Sequence, residues 1–315
     1  MAVASAIERA RQAFAVVTQI EEALVRDPEA RHLQVNLAAA RKMAQQAQDR
    51  VLVLAESDHV EVCNYRLVPV DSRPYALAAV SLSMLYFQNL FSQVHDAVRN
   101  GPKRISVVGA EAIRESLLEF GYSYSGSLGV MLFVPSEKTL FDGSLDASID
   151  ALFQVVEITD QDDVRDVAKA LGMPVLKRVY EWSSSNVNGG FSTDLKWRRS
   201  DGKFLGEVIT RDKMERIVEI IGRTSDVETI NHHVTGVLVG MDVKSGRFRL
   251  TVPDGEDFAG GLASEFPRNR RFTVNRSYDA HIVESKTTKY ATETIERKFE
   301  LVSLREPREQ ALIEH

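Results

Sequence analysis

The chain has one cysteine, Cys63, in 315 residues. No intrachain disulfide can form, and a reducing compartment is expected. No run of 18 apolar residues occurs, so a helical membrane span is not expected. The opening segment lacks a basic stretch followed by an apolar one, so a secretory signal is not expected and a cytoplasmic location is. Neither charge sign dominates: 39 basic residues face 45 acidic ones, a net of −6. That argues against a globally basic nucleic-acid binder while leaving room for a local basic patch. Internal repeats of 20–50 residues and low-complexity tracts are missing.

Chemical motifs are also scarce. There is no G-x-x-x-x-G-K-[ST] and no G-x-G-x-x-G between a strand and a helix. Asn188-Gly189-Gly190 reads as part of a polar loop, 183–193, without the following helix start that a phosphate cradle needs. The seven histidines show neither H-x-x-x-H nor H-E-x-x-H spacing. His232 and His233 are adjacent and would point to opposite faces of a strand. No metal site and no cofactor are expected. The acidic run Asp160-Gln-Asp-Asp163 falls at a predicted helix start, where the helix dipole accounts for it. No G-x-S-x-G elbow exists; Ser125-Gly-Ser-Leu-Gly129 falls where a hairpin turn is predicted. Cys63 lies on a predicted strand and reads as a small core hydrophobe.

What the sequence does contain is the material of a folded protein: 44% apolar and 27% charged residues, about two average domains in length. The expected class is α+β. A helical hairpin (1–56) and a mixed helix and hairpin-sheet domain (57–222) precede a small all-β barrel (231–304), SH3-like or OB-like, and a frayed tail (305–315). Leu33, Leu37, Ala40, Ala44, Ala47, Val51 and Leu54 fall on a heptad seam. Ile7, Ala10, Phe14, Val17 and Leu24 match it, with Glu21 at one polar position. Asp27-Pro28 breaks between the two. The seam serves either an intramolecular hairpin or a coiled-coil contact between copies.

Strands are predicted at 60–68, 104–108, 117–123, 128–134, 175–182, 194–199 and 204–209. Helices are predicted from Pro74 to about 99, from Ser144 to Val156, from a Thr159 cap to Leu171 and from a Thr210 cap to Gly222, with the helices on one sheet face. Beyond Arg223 helical periodicity disappears. Short alternating runs follow at 234–241, 247–252, 272–274, 280–283 and 298–304, and barrel closure would remove the exposed edges of so small a sheet.

Two basic clusters remain. Lys196-Trp-Arg198-Arg199 lies on a predicted strand, with Lys196 and Arg198 on one face. Pro267-Arg268-Asn269-Arg270-Arg271-Phe272, with Arg276 following, lies in the barrel region. Across 263–278 four arginines meet one acid, Glu265, whereas 231–315 as a whole balances 13 basic and 13 acidic residues. The positive charge is therefore local. Arginines beside aromatics suit phosphate contact and base stacking, with Phe272 or Tyr278 as the flat ring. The expected function is non-enzymatic: a binding or assembly protein of a bacterial-type cytosol, taking nucleic acid or a protein partner through the barrel, within a multi-protein system of accessory or defence type. Self-association would run through the N-terminal helices. The rival expectation is a hydrolase or nuclease built on scattered carboxylates, which would have to converge in a cleft.

Overall fold

A computed structural model describes residues 2–70, 75–124, 128–135 and 144–307. The chain is mixed α and β and divides into two compact units, Met1–Thr224 and Ser225–His315.

The first unit opens with α1 (Ala2–Arg26) and α2 (Arg31–Ser57), an antiparallel pair reversing at 27–30. Its seam is built of small residues: Ala6, Ala10, Val17, Ala40, Ala44, Val51 and Ala55 are buried. Alanines let the two backbones approach closely. Glu21, the polar residue of the seam, is answered by Arg41 at 2.7 Å. The seam is thus used within the chain.

A five-stranded antiparallel sheet follows, in the order β2-β3-β1-β4-β5, from β1 (Val60–Pro69), β2 (Glu119–Tyr124), β3 (Leu128–Pro135), β4 (Phe191–Arg198) and β5 (Phe204–Ile209). Its two faces bury different partners. Val62, Tyr122, Met131 and Phe133 form one cluster with Ala6, Ala10, Val51 and Ala55 of the helical hairpin. Cys63, Tyr65, Leu67, Leu195 and Trp197 are fully buried on the opposite face. There they meet α3 (Leu77–Asn100) and α7 (Met173–Gly189): Tyr65 packs on Phe87 (ring centroids 4.5 Å) and Trp197 on Phe91 (4.8 Å). Helices therefore cover both faces, where the sequence suggested one.

Short helices α4 (Ala110–Glu115), α5 (Ser144–Val155), α6 (Gln161–Leu171) and α8 (Arg211–Arg223) complete the unit. Asp160, one residue beyond the predicted Thr159, caps α6 in a reciprocal box with Asp163. Thr210 caps α8 through the Lys213 amide.

Three local expectations are corrected. Residues 175–182 are helical, not a strand. Pro174 sits in the first turn of α7, where its missing N–H costs nothing. Val175, Val179, Trp182 and Asn186 then recur on one buried stripe, so the periodicity overrides the β preference of valine and tryptophan. As a consequence the supposed loop 183–193 is the last part of α7, through Gly189, and the first residues of β4, from Phe191. The helix ends at Gly190, whose φ of +73° suits glycine. Residues 104–108 are not a strand either; Ile105 and Val107 are exposed, and Val107 N donates to Ile105 O in a local turn. Pro74, the turn residues 125–127 and the tail beyond 307 lie outside the described residues, as does the side chain of Ser144.

The second unit is a closed barrel of β6 (Ser225–Asp242), β7 (Arg247–Thr251), β8 (Asp257–Leu262), β9 (Ser277–Lys289) and β10 (Thr294–Arg305), ordered β10-β8-β7-β6-β9. Neighbours are antiparallel except β8 and β10, which run parallel. Leu238, Phe248, Leu250, Phe258, Ile282 and Leu301 fill the interior. The sequence missed β8, since Gly260-Gly261 reads as a turn. The glycine is there for closure: a Cβ on Gly260 would lie 2.0 Å from the carbonyl oxygen of Phe299 on β10. Phe272–Val274, predicted as a strand, belongs instead to the connection between β8 and β9. β6 begins at Ser225, ahead of the barrel start expected at 231 and the strand start expected at 234.

Candidate polyanion interface

Residues 263–276 join β8 to β9 at the barrel end that also carries the β6–β7 turn. Backbone bonds pin both ends of this loop: Leu262 N to Gly246 O (2.8 Å), Ala263 N to Leu301 O (3.0 Å), Asn275 N to Leu238 O (2.8 Å) and Leu238 N to Arg276 O (2.9 Å). Its aromatics point inward. Phe266 is buried, Phe272 packs on the core beside it (5.4 Å), and Tyr278 bonds Thr273 through its hydroxyl. With two phenylalanines inserted, Arg268, Arg270, Arg271 and Arg276 are left exposed. None of the four joins an ion pair among the described residues. Glu265 is occupied by Ser264. The same packing removes Phe272 and Tyr278 as stacking surfaces, because one lies against the core and the other is buried.

The other basic cluster has a different fate. Lys196 and Arg198 lie on one face of β4 and Trp197 is buried on the other. Lys196 pairs with Asp194 (3.1 Å) and Arg198 with Glu56 of α2 (2.8 Å). Arg199 is nearly buried and meets Asp146 (2.9 Å), Asp150 (3.1 Å) and Asp201 (2.8 Å), with Lys203 also on Asp150. Three carboxylates do converge here, but on a guanidinium rather than around a cleft. Burial opposes the charge of Arg199, yet the three aspartates hold its pKa above the usual value. The two predicted clusters sit in different units and only the second presents unengaged cations.

A third group was not anticipated from the sequence. On α3, His95 places Nδ1 2.9 Å from Ser148 Oγ and Nε2 3.1 Å from Glu115. Arg99 also bonds Glu115. Burial favours a neutral Glu115, but His95 and Arg99 override it and bring the carboxyl below its ordinary pKa. The composition is that of a serine–histidine–acid triad. Its geometry is not: Ser148 is 0% exposed and His95 1%, so the hydroxyl has no path to a substrate. Asp96 beside them is fully buried, ion-paired with Lys103 and bonded by Asn100 and the Gly109 amide. These residues clamp the segment 101–116 and α5 onto α3. Sequence spacing could not reveal them, since Ser148 is 53 positions from His95.

Among the described residues no group of three or more histidine, cysteine or acidic side chains is arranged to hold a metal ion. No helix among them is long and apolar enough to cross a membrane. Cys63 is buried on the sheet, and burial pushes its thiol well above the ordinary pKa, away from nucleophilic use. Comparison with known proteins found no matching family, no matching curated protein and no matching solved structure.

Proposed function

We propose that this chain is a binding and assembly protein whose barrel holds a single-stranded nucleic acid through the arginine loop 263–276. The observation that carries the reading is the loop itself: four exposed arginines that join no ion pair among the described residues, on a segment fixed by two inserted phenylalanines. A rigid loop of unpaired guanidiniums binds phosphates without first breaking internal ion pairs or ordering a flexible segment. The strand order adds support. The fifth strand lies between the third and the fourth and runs parallel to the third, a Greek-key crossing that favours an oligonucleotide-binding barrel over an SH3-like one. The first unit, with its helical hairpin, is then the part that joins a larger assembly.

The test is fluorescence anisotropy with labelled single-stranded and duplex oligonucleotides at 50 mM salt. Replacing Arg270 and Arg271 by alanine is expected to weaken single-strand binding at least tenfold with folding intact, because exposed arginines add little stability. Replacing Lys196 and Arg198 is expected to leave binding unchanged. Absence of binding by the wild-type chain, or indifference to the Arg270 and Arg271 substitutions, would retire the proposal and leave an acidic protein partner for this face.

A further inference from the structure

The barrel's outer surface raises a question about stacking. A single-stranded nucleic acid is held by phosphate contacts plus flat rings against its bases. The outward positions of β7 and β8 offer Arg247, Arg249, Thr251, Asp257 and Ala259, with no aromatic ring, and Arg249 is tied to Asp257. Phe272 and Phe299 are half-buried against the core, and Tyr278 and Tyr290 are buried.

The flat rings that do face outward are on the β6–β9–β10 side. His233 and His281 are register partners on adjacent strands. Their rings are stacked, with centroids 4.4 Å apart and planes 12° from parallel. His281 Nε2 lies 2.9 Å from Asn231 Oδ1, which fixes the ring. The pair lines a depression of about 500 Å³ with Thr235, Asp279, Ser303, Arg305 and Glu306, within the usual range for a small-ligand site. Two lateral rows form its floor: His233–His281–Ser303 and Thr235–Asp279–Arg305, each aligned through the β6–β9 and β9–β10 registers. β9, which carries the middle of the floor, leads directly from the arginine loop, since Arg276 precedes Ser277 at its start. At about 3.4 Å per residue, His281 lies about 17 Å along the strand from Arg276, a span that fits the several nucleotides one such barrel covers.

We propose that the stacked imidazoles of His233 and His281 are a base-stacking subsite for one nucleobase of the strand held by the arginine loop, a step that rests on the function proposed above. Imidazole faces serve as stacking platforms in single-strand recognition. Around them Asp279 and Glu306 present oxygens that accept from exocyclic amines, and Ser303 and Arg305 present donors. Asp279 already accepts from Thr235 at 2.6 Å, which holds the carboxylate in place. The pair supplies base contact and the loop supplies phosphate contact.

The experiment compares two ligands on the full chain: a labelled single-stranded oligonucleotide, which carries bases, and inorganic polyphosphate, which does not. Substituting His233 and His281 together by alanine is expected to weaken the oligonucleotide about fivefold to a hundredfold, the range that base–aromatic stacking carries, and to leave polyphosphate unchanged. His233→Phe, which keeps a flat ring, is expected to retain oligonucleotide affinity. In the wild-type chain the ring-proton NMR resonances of His233 and His281 are expected to shift with the oligonucleotide and not with polyphosphate, a readout independent of any variant. Equal weakening of both ligands, no weakening of either, or unshifted resonances would overturn the subsite. Oligonucleotide binding that the histidine substitutions leave intact would overturn the subsite alone, whereas no oligonucleotide binding by the wild-type chain would overturn the arginine-loop reading as well.

Discussion

Single residues in the first unit show how buried polarity can be structural. Asp96 is inside the fold, where burial alone would favour its neutral form. The Lys103 ammonium, the Asn100 amide and the Gly109 N–H override that, and its pKa lies below the ordinary carboxylate value. A carboxyl depressed in the folded state contributes stability that is complete above the unfolded value of about 4. The contribution is lost as pH falls through the lower folded value. Asp96→Asn is therefore expected to cost about 1–3 kcal/mol at pH 7, with a gap to wild type that narrows towards pH 3. Urea unfolding at both pH values measures it; a gap of constant size would mean that the Asp96 charge is not the cause. Cys63 could be read from the sequence because alternation alone places it inside. The His95–Ser148–Glu115 group could not, because its members come from three helices and touch only after those helices pack.

Elements were legible where one periodicity ruled. The heptad seam located α1 and α2, and the hairpin of β4 and β5 followed from its turn residues. Reading failed where local preference and packing disagreed. α7 carries strand-favouring side chains on a helical stripe, and its proline belongs to the first turn rather than to a break. β8 carries Gly260 because β10 passes too close there for a side chain. That close approach yields a prediction. Gly260→Ala forces its Cβ against the Phe299 carbonyl, so the β8–β10 closure must shift, at an expected cost of about 1–3 kcal/mol as in other overpacked sites. Hydrogen exchange is expected to show loss of protection at β8 and β10 before β1 and β4; unchanged protection at β8 would contradict the closure role.

For the molecule as a whole, net charge is a poor guide, since a chain of net −6 still carries four exposed arginines together on one loop. The sequence located both basic clusters, but only their surroundings separate them. Lys196 is matched by Asp194, its neighbour on the same strand face, and Arg198 by Glu56 of α2, an acid near in space and invisible as a partner in the sequence. Arg268, Arg270, Arg271 and Arg276 meet no such acids among the described residues. The sequence also offered Phe272 and Tyr278 as stacking rings, and the fold turns both inward. It gave no reason to pair His233 with His281, since the two are brought together only by the β6–β9 register. The salt dependence of single-strand binding tests the central claim most directly. Each phosphate neutralised on a single strand contributes about 0.7 to the slope of log K against log salt, so four free arginines are expected to give a slope near −3. The Arg270 and Arg271 double alanine variant is expected to lower its magnitude by about 1.4. A slope that the double substitution leaves unchanged would contradict the claim that this loop holds the strand.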